Sequence, residues 1–135
     1  MQTPIKMFEL TNDAVGATFE DVGEEIVLNG QYEHLVIQVQ NNSAASGDDL
    51  DDFEISLKVH PGAEWLAYLT GAAWATASTY LSTLVSTDPK TLAKGAKTHI
   101  NVYIGPVYSV KFRAKAANGK SVKLKIFGTA KGSLR

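Results

Sequence analysis

Three histidines (His34, His60 and His99), a run of carboxylates (Asp48, Asp49, Asp51, Asp52 and Glu54) and three mid-chain aromatics (Trp65, Tyr68 and Trp74) are the side chains best suited to chemistry. A zinc site needs ligands converging on one point, and His60 with Glu64 has the H-x3-E spacing. Pro61-Gly62 lies between them and breaks the helix that would bring the two onto one face. The carboxylate run offers hard oxygen ligands, but it lacks the alternating ligands, the central glycine and the closing glutamate of a calcium loop. A solvated acidic loop is expected there, and no metal. Lys94-Gly95-Ala96-Lys97-Thr98 has a faint likeness to a phosphate loop, yet G-x4-G-K-[ST] is absent and a strand pattern follows. There is no G-x-S-x-G, and the serines sit in turns and strand edges where hydroxyls serve the backbone. No catalytic residue and no cofactor site is expected. Trp65, Tyr68 and Trp74 have flat faces that stack on sugars in carbohydrate-binding modules, but residues of this kind are more often the bulky fillers a small core needs.

The elements that would hold these residues must be built by one domain, because 135 residues suffice for one sizeable core and leave no room for a second. Hydrophobic residues make up 44% and charged ones 20%, as in ordinary globular chains. Cysteine is absent, so disulfides, thiolate metal sites and cysteine nucleophiles are excluded together. The first residues lack the pattern of an export signal, and no apolar run is long enough to span a membrane as a helix. The formal charge of −1 hides an asymmetry. Residues 9–64 hold thirteen acids and one base, Lys58, whereas residues 107–135 hold eight bases and no acid. An acidic surface meets a basic one inside the fold, or opposite patches join copies and neighbours, or the two are solvated faces that never touch.

Period-two alternation runs through most of the chain. Leu35, Ile37 and Val39 alternate with Val36, Gln38 and Gln40. Phe53, Ile55, Leu57 and Val59 alternate with Glu54, Ser56, Lys58 and His60, and Ile100, Val102 and Ile104 with His99, Asn101 and Tyr103. Residues 41–52 read as a polar surface loop, and residues 63–87 as two strands or an irregular excursion. Asn29-Gly30 is a hairpin signal between strands 24–28 and 33–40, and Asn118-Gly119 one between the two strands of the stretch 107–127. In the second pair Tyr108, Val110, Phe112 and Ala114 share a face, with Val122, Leu124 and Ile126 as their counterparts. Lys111, Arg113, Lys115, Lys123 and Lys125 lie on the opposite side and form one basic face. Only Phe127 lies among these bases as a stacking residue and the isoelectric point is about 6.3, so direct nucleic-acid binding is not expected. The fold expected is all-β, a single domain over residues 1–135, an antiparallel β-sandwich or jelly roll of about seven to eight strands.

The order of segments over residues 53–132 resembles that of small tailed-bacteriophage virion proteins of the capsid decoration or cement type. FEISLKVHPGAEW is followed by a variable stretch and then by a T-L-A-K-G turn, a G-P-V-Y-S-V strand and a closing NG-K-S-V-K-L-K-I-F-G-T-A segment. Gly105, Pro106, Tyr108, Asn118, Gly119 and Gly128 carry the structural pattern. The resemblance implies a non-enzymatic structural protein present in many copies, made in the host cytoplasm and placed on the capsid surface. Its partners would be the major capsid protein, other virion proteins or copies of itself, with no membrane involved. A neck or tail component is the near alternative, and a carbohydrate-binding module using Trp65, Tyr68 and Trp74 the more distant one. On this reading the docking groups are either Lys111, Arg113, Lys115, Lys123 and Lys125, or the acidic residues Asp48, Asp49, Asp51 and Asp52.

Overall fold

The alternating segments do form strands, because alternation puts every second side chain on one face and gives each strand one side to bury. The structure is a computed structural model describing residues 4–74, 83–85 and 88–132. Ten strands are present among these: β1 (Ile5–Val15), β2 (Glu20–Asp21), β3 (Ile26–Val27), β4 (His34–Asn41), β5 (Leu50–Lys58), β6 (Leu66–Leu69), β7 (Thr83–Val85), β8 (Lys97–Tyr103), β9 (Ser109–Ala116) and β10 (Val122–Lys131). The number exceeds the seven to eight expected, in part because one edge is broken. Both β2 and β3 pair with β9, and Gly23, at φ 72°, turns the chain between them. Of the ambiguous segment 63–87, the described part holds β6, a turn ending at Trp74, and β7. Residues 75–82, 86 and 87 of that expectation lie outside the described residues.

The strands form two antiparallel sheets. Sheet A has the order β1-β10-β4-β8-β7, and sheet B the order β2-β9-β5-β6 with β3 also on β9. Strands that follow one another in sequence mostly lie in opposite sheets, which is the jelly-roll arrangement of a sandwich. Neither expected hairpin exists. The chain crosses from β3 in sheet B to β4 in sheet A, and from β9 in sheet B to β10 in sheet A. The Asn-Gly turns are real, with Asn29, Gly30 and Gly119 all at positive φ. They reverse the chain across the core instead of within a sheet. The apolar faces of β9 and β10 therefore oppose one another, Val110 and Phe112 in one layer and Val122, Leu124 and Ile126 in the other, all buried.

Aromatic rings fill the space between the layers. Phe112 stacks with Phe8 at 5.9 Å and with Phe53 at 6.2 Å between ring centroids. Phe53 in turn packs against Trp74 at 5.9 Å. The Phe8 ring covers Gly128, its cross-strand partner on β10. At one end of the sandwich the buried Asn41 side chain donates to the carbonyls of Asp48 and Leu92, at 2.9 and 3.0 Å. That amide ties the loop 42–49 to the connection that precedes β8. The loop is shorter than expected, because β5 starts at Leu50 and takes Asp51 and Asp52 into the sheet.

Candidate docking surfaces

Loss of the hairpin divides the basic face in two. Lys111, Arg113 and Lys115 project from the outer face of sheet B, whereas Lys123 and Lys125 project from the outer face of sheet A, on the other side of the molecule. The expectation of one five-base surface is thus corrected by the topology.

On sheet B the register sets acids beside bases. Across β5 and β9, Asp52 is paired with Lys115, Glu54 with Arg113 and Ser56 with Lys111, while β2 sets Asp21 beside Arg113. The Lys111 ammonium lies 3.7 Å from the Asp21 carboxylate, and Lys115 lies 3.5 Å from Asp51. Arg113 approaches Asp21 at 3.3 Å through Nε and Glu54 at 3.7 Å through Nη1. The Nε contact is one of charge only, since that nitrogen has no hydrogen-bond partner of suitable direction. Ser56 Oγ donates to Glu54 at 2.6 Å. Rings lie under the cations: Phe19 beneath Arg113 and Lys115 at 5.5 and 5.1 Å, and Trp65 beneath Lys111 at 4.7 Å and Lys58 at 5.6 Å. These cations are held by their own chain through charge and ring faces.

The four acidic candidates have separate tasks. Asp52 is only 8% exposed, and its carboxylate accepts from the Gly71 N–H at 2.9 Å, the Phe53 N–H at 2.8 Å and the Thr70 hydroxyl at 3.1 Å. It fastens the turn after β6 to the sheet. Asp49 accepts from the Lys94 N–H at 3.0 Å, Asp51 faces Lys115, and Asp48 lies half-buried on the loop.

The three aromatics do not form a platform. Trp74 is 1% exposed, in the core, with its indole N–H on the Phe53 carbonyl at 2.6 Å. Trp65 lies under two ammonium groups, and the exposed Tyr68 donates to the Tyr103 carbonyl at 3.0 Å. The histidines are likewise apart. His34 meets the Tyr103 ring edge-on at 5.4 Å, His60 Nδ1 accepts from the Gly62 N–H at 2.9 Å, and His99 contacts Gln38 at 2.8 Å. Among the described residues no group of three or more ligating side chains is placed to hold a metal ion, and no helix is long and apolar enough to cross a membrane.

The outer face of sheet A is different in character. Its register places Met7, Thr129, Val36 and Asn101 abreast, with Glu9, Phe127, Gln38 and His99 in the neighbouring row. Met7, Val36 and Phe127 are exposed there and, with Gly128 and His99, border a shallow depression. Lys125 pairs with Glu9 at 2.7 Å and lies over the Phe127 ring at 4.9 Å, while Lys123 is exposed and has no ion pair among the described residues. Sequence reasoning passed over this surface, although a signal existed. Val36 and Phe127 stand on the polar side of their own alternations.

No family model matches the chain, and no curated protein does. Among solved structures, the SPBc2 prophage-derived protein YomS aligns over 98% of this chain and 98% of its own, with a TM-score of 0.53 and 15% identity. At that identity the likeness is one of fold. A structure described as showing that Bacillus endospore appendages form a novel family of disulfide-linked pili aligns over 100% of this chain and 93% of its own, with a TM-score of 0.48 and 12% identity.

Proposed function

We propose that the chain is a non-enzymatic structural protein of a tailed-phage particle, a decoration or cement protein that binds the capsid surface in many copies. The observation that carries the reading is the fold held in common, end to end, with a prophage-derived protein. It adds to the order of segments over residues 53–132 that resembles small virion proteins. How such a chain attaches is suggested by the outer face of sheet A, where Met7, Val36 and Phe127 lie in adjoining rows with Lys97 and Lys123 at one end. Apolar contacts of this size are individually weak, and repetition over a symmetric shell multiplies them. Four of the five bases first considered for docking, Lys111, Arg113, Lys115 and Lys125, already face acids of the chain, which leaves Lys123 as the docking base.

The test is co-sedimentation of the purified protein with shells assembled from the major capsid protein of the same phage. Saturable binding in fixed proportion to shell subunits is expected. The double substitution Val36→Lys with Phe127→Lys is expected to weaken it by about tenfold or more, as loss of central apolar contacts does. Failure of the unaltered protein to sediment with shells would remove the decoration reading in favour of a neck or tail location.

A further inference from the structure

Strand β1 is an edge of sheet A and, among the described residues, pairs only with β10. The Gly132 N–H donates to the Pro4 carbonyl at 2.9 Å, and this bond sets the phase of the ladder. Bonded and non-bonded positions alternate in an antiparallel pair, so the even-numbered residues of β1 bond to β10. The N–H and C=O groups of Ile5, Met7, Glu9 and Thr11 then point away from it. None of these backbone groups has a hydrogen-bond partner among the described residues.

A long open edge is normally shielded by charge, proline, a bulge or a covering segment. Here the shielding is slight from Ile5 to Thr11. Glu9 is the single outward charge, already neutralised by Lys125, and the Lys6 ammonium turns inward to the Val27 carbonyl at 3.1 Å. The register shift comes later, between Asn12 and Val15. Ile5 and Met7 project beside the open edge, and Met7 is 78% exposed.

We propose that β1 pairs antiparallel with β1 of a second copy about a two-fold axis at Met7, joining two five-stranded A sheets into one continuous sheet. An antiparallel edge is self-complementary under such an axis. In this register Met7 faces Met7 of the second copy, Ile5 faces Glu9, and the outward backbone groups of all three meet in bonded pairs. No like charges oppose. Centring on Glu9 would set carboxylate against carboxylate, and centring on Phe8 would set Met7 against Glu9 and Ile5 against Thr11, with no apolar pair on the outer face. The proposal rests on the assembly part of the proposed function and is independent of shell binding.

The chain has no cysteine, so an introduced thiol reports on one position. A bonded antiparallel pair has Cα atoms about 5.5 Å apart, within disulfide range. Light scattering on the full chain is expected to give twice the 14.5 kDa chain mass, and Met7→Lys is expected to halve it. Met7→Pro removes only an outward N–H and leaves the β10 ladder whole, so it too should yield a monomer with an unchanged circular dichroism spectrum. Under mild oxidation Met7→Cys is expected to form a covalent dimer, and Val36→Cys, on the same face two strands inward, is not. A monomer at every concentration overturns the proposal, as does a dimer that survives both Met7→Lys and Met7→Pro. Cross-linking through Val36→Cys in place of Met7→Cys also overturns it, by moving the contact from the edge to the face. The Val36→Lys with Phe127→Lys protein separates the two readings, because both positions lie off β1: it is expected to lose shell co-sedimentation and still scatter as a dimer.

Discussion

Gly128 shows how much a single position contributes to this sandwich. It lies opposite Phe8 in the ladder between β1 and β10, and the aromatic ring occupies the space a side chain would take. Gly128→Ala is therefore expected to destabilise the protein by about 1–3 kcal/mol through overpacking. Shortening the ring in a Phe8→Leu background should relieve the clash, leaving a coupling of about 0.5–3 kcal/mol in a double-mutant cycle measured by urea unfolding. The sequence marked Gly128 only as part of a pattern, because nothing local says which ring will lie over a glycine. At Trp74 the residue type permitted both a sugar platform and a core filler. Packing against the Phe53 ring decided for the core, where the buried indole finds its partner in the Phe53 carbonyl.

At the scale of elements, strands were legible and their neighbours were not. The alternations at β4, β5, β8, β9 and β10 identify which side chains turn inward, since period two is a property of the extended backbone itself. An Asn-Gly pair signals a reversal, but the reversal in a jelly roll joins sheets about 10 Å apart, not strands about 4.8 Å apart within one sheet. The connection 117–121 between β9 and β10 makes this difference testable. Deleting Ala117, Lys120 and Ser121 would leave Asn118-Gly119 as a two-residue turn, favourable for a hairpin. For the crossing seen here it is too short, and loss of the cooperative thermal transition is expected by circular dichroism. A shortened variant that unfolds cooperatively at the original temperature would contradict the crossing.

For the whole molecule, the last part of the chain occupies the middle of both sheets. β9 lies between β5 and the β2–β3 edge, and β10 lies between β1 and β4. A fragment of residues 1–106 leaves β1, β2 and β3 without their partner strand and exposes the inner faces of what remains, so its circular dichroism spectrum is expected to be that of an unfolded chain. A folded spectrum would show that one layer can form without its centre. The charge asymmetry has the same geometric origin. Glu9, Asp21, Asp51 and Glu54 from the acidic segment meet Lys125, Lys111, Arg113 and Lys115 from the basic one. Each exposed pair contributes about 0–1 kcal/mol, so the pairs favour this register more than they stabilise the fold. By itself the sequence determined the all-β class, the inward face of most strands and the two opposite charge blocks, because alternation and composition are carried by residues near one another in the chain. Only the tertiary structure decided that the two basic strands stand in different sheets, that their charges are largely consumed within the molecule, and that β1 and the outer face of sheet A remain open. Those outcomes depend on pairings such as Ile5 with Lys131, between residues at opposite ends of the chain, which local pattern does not encode.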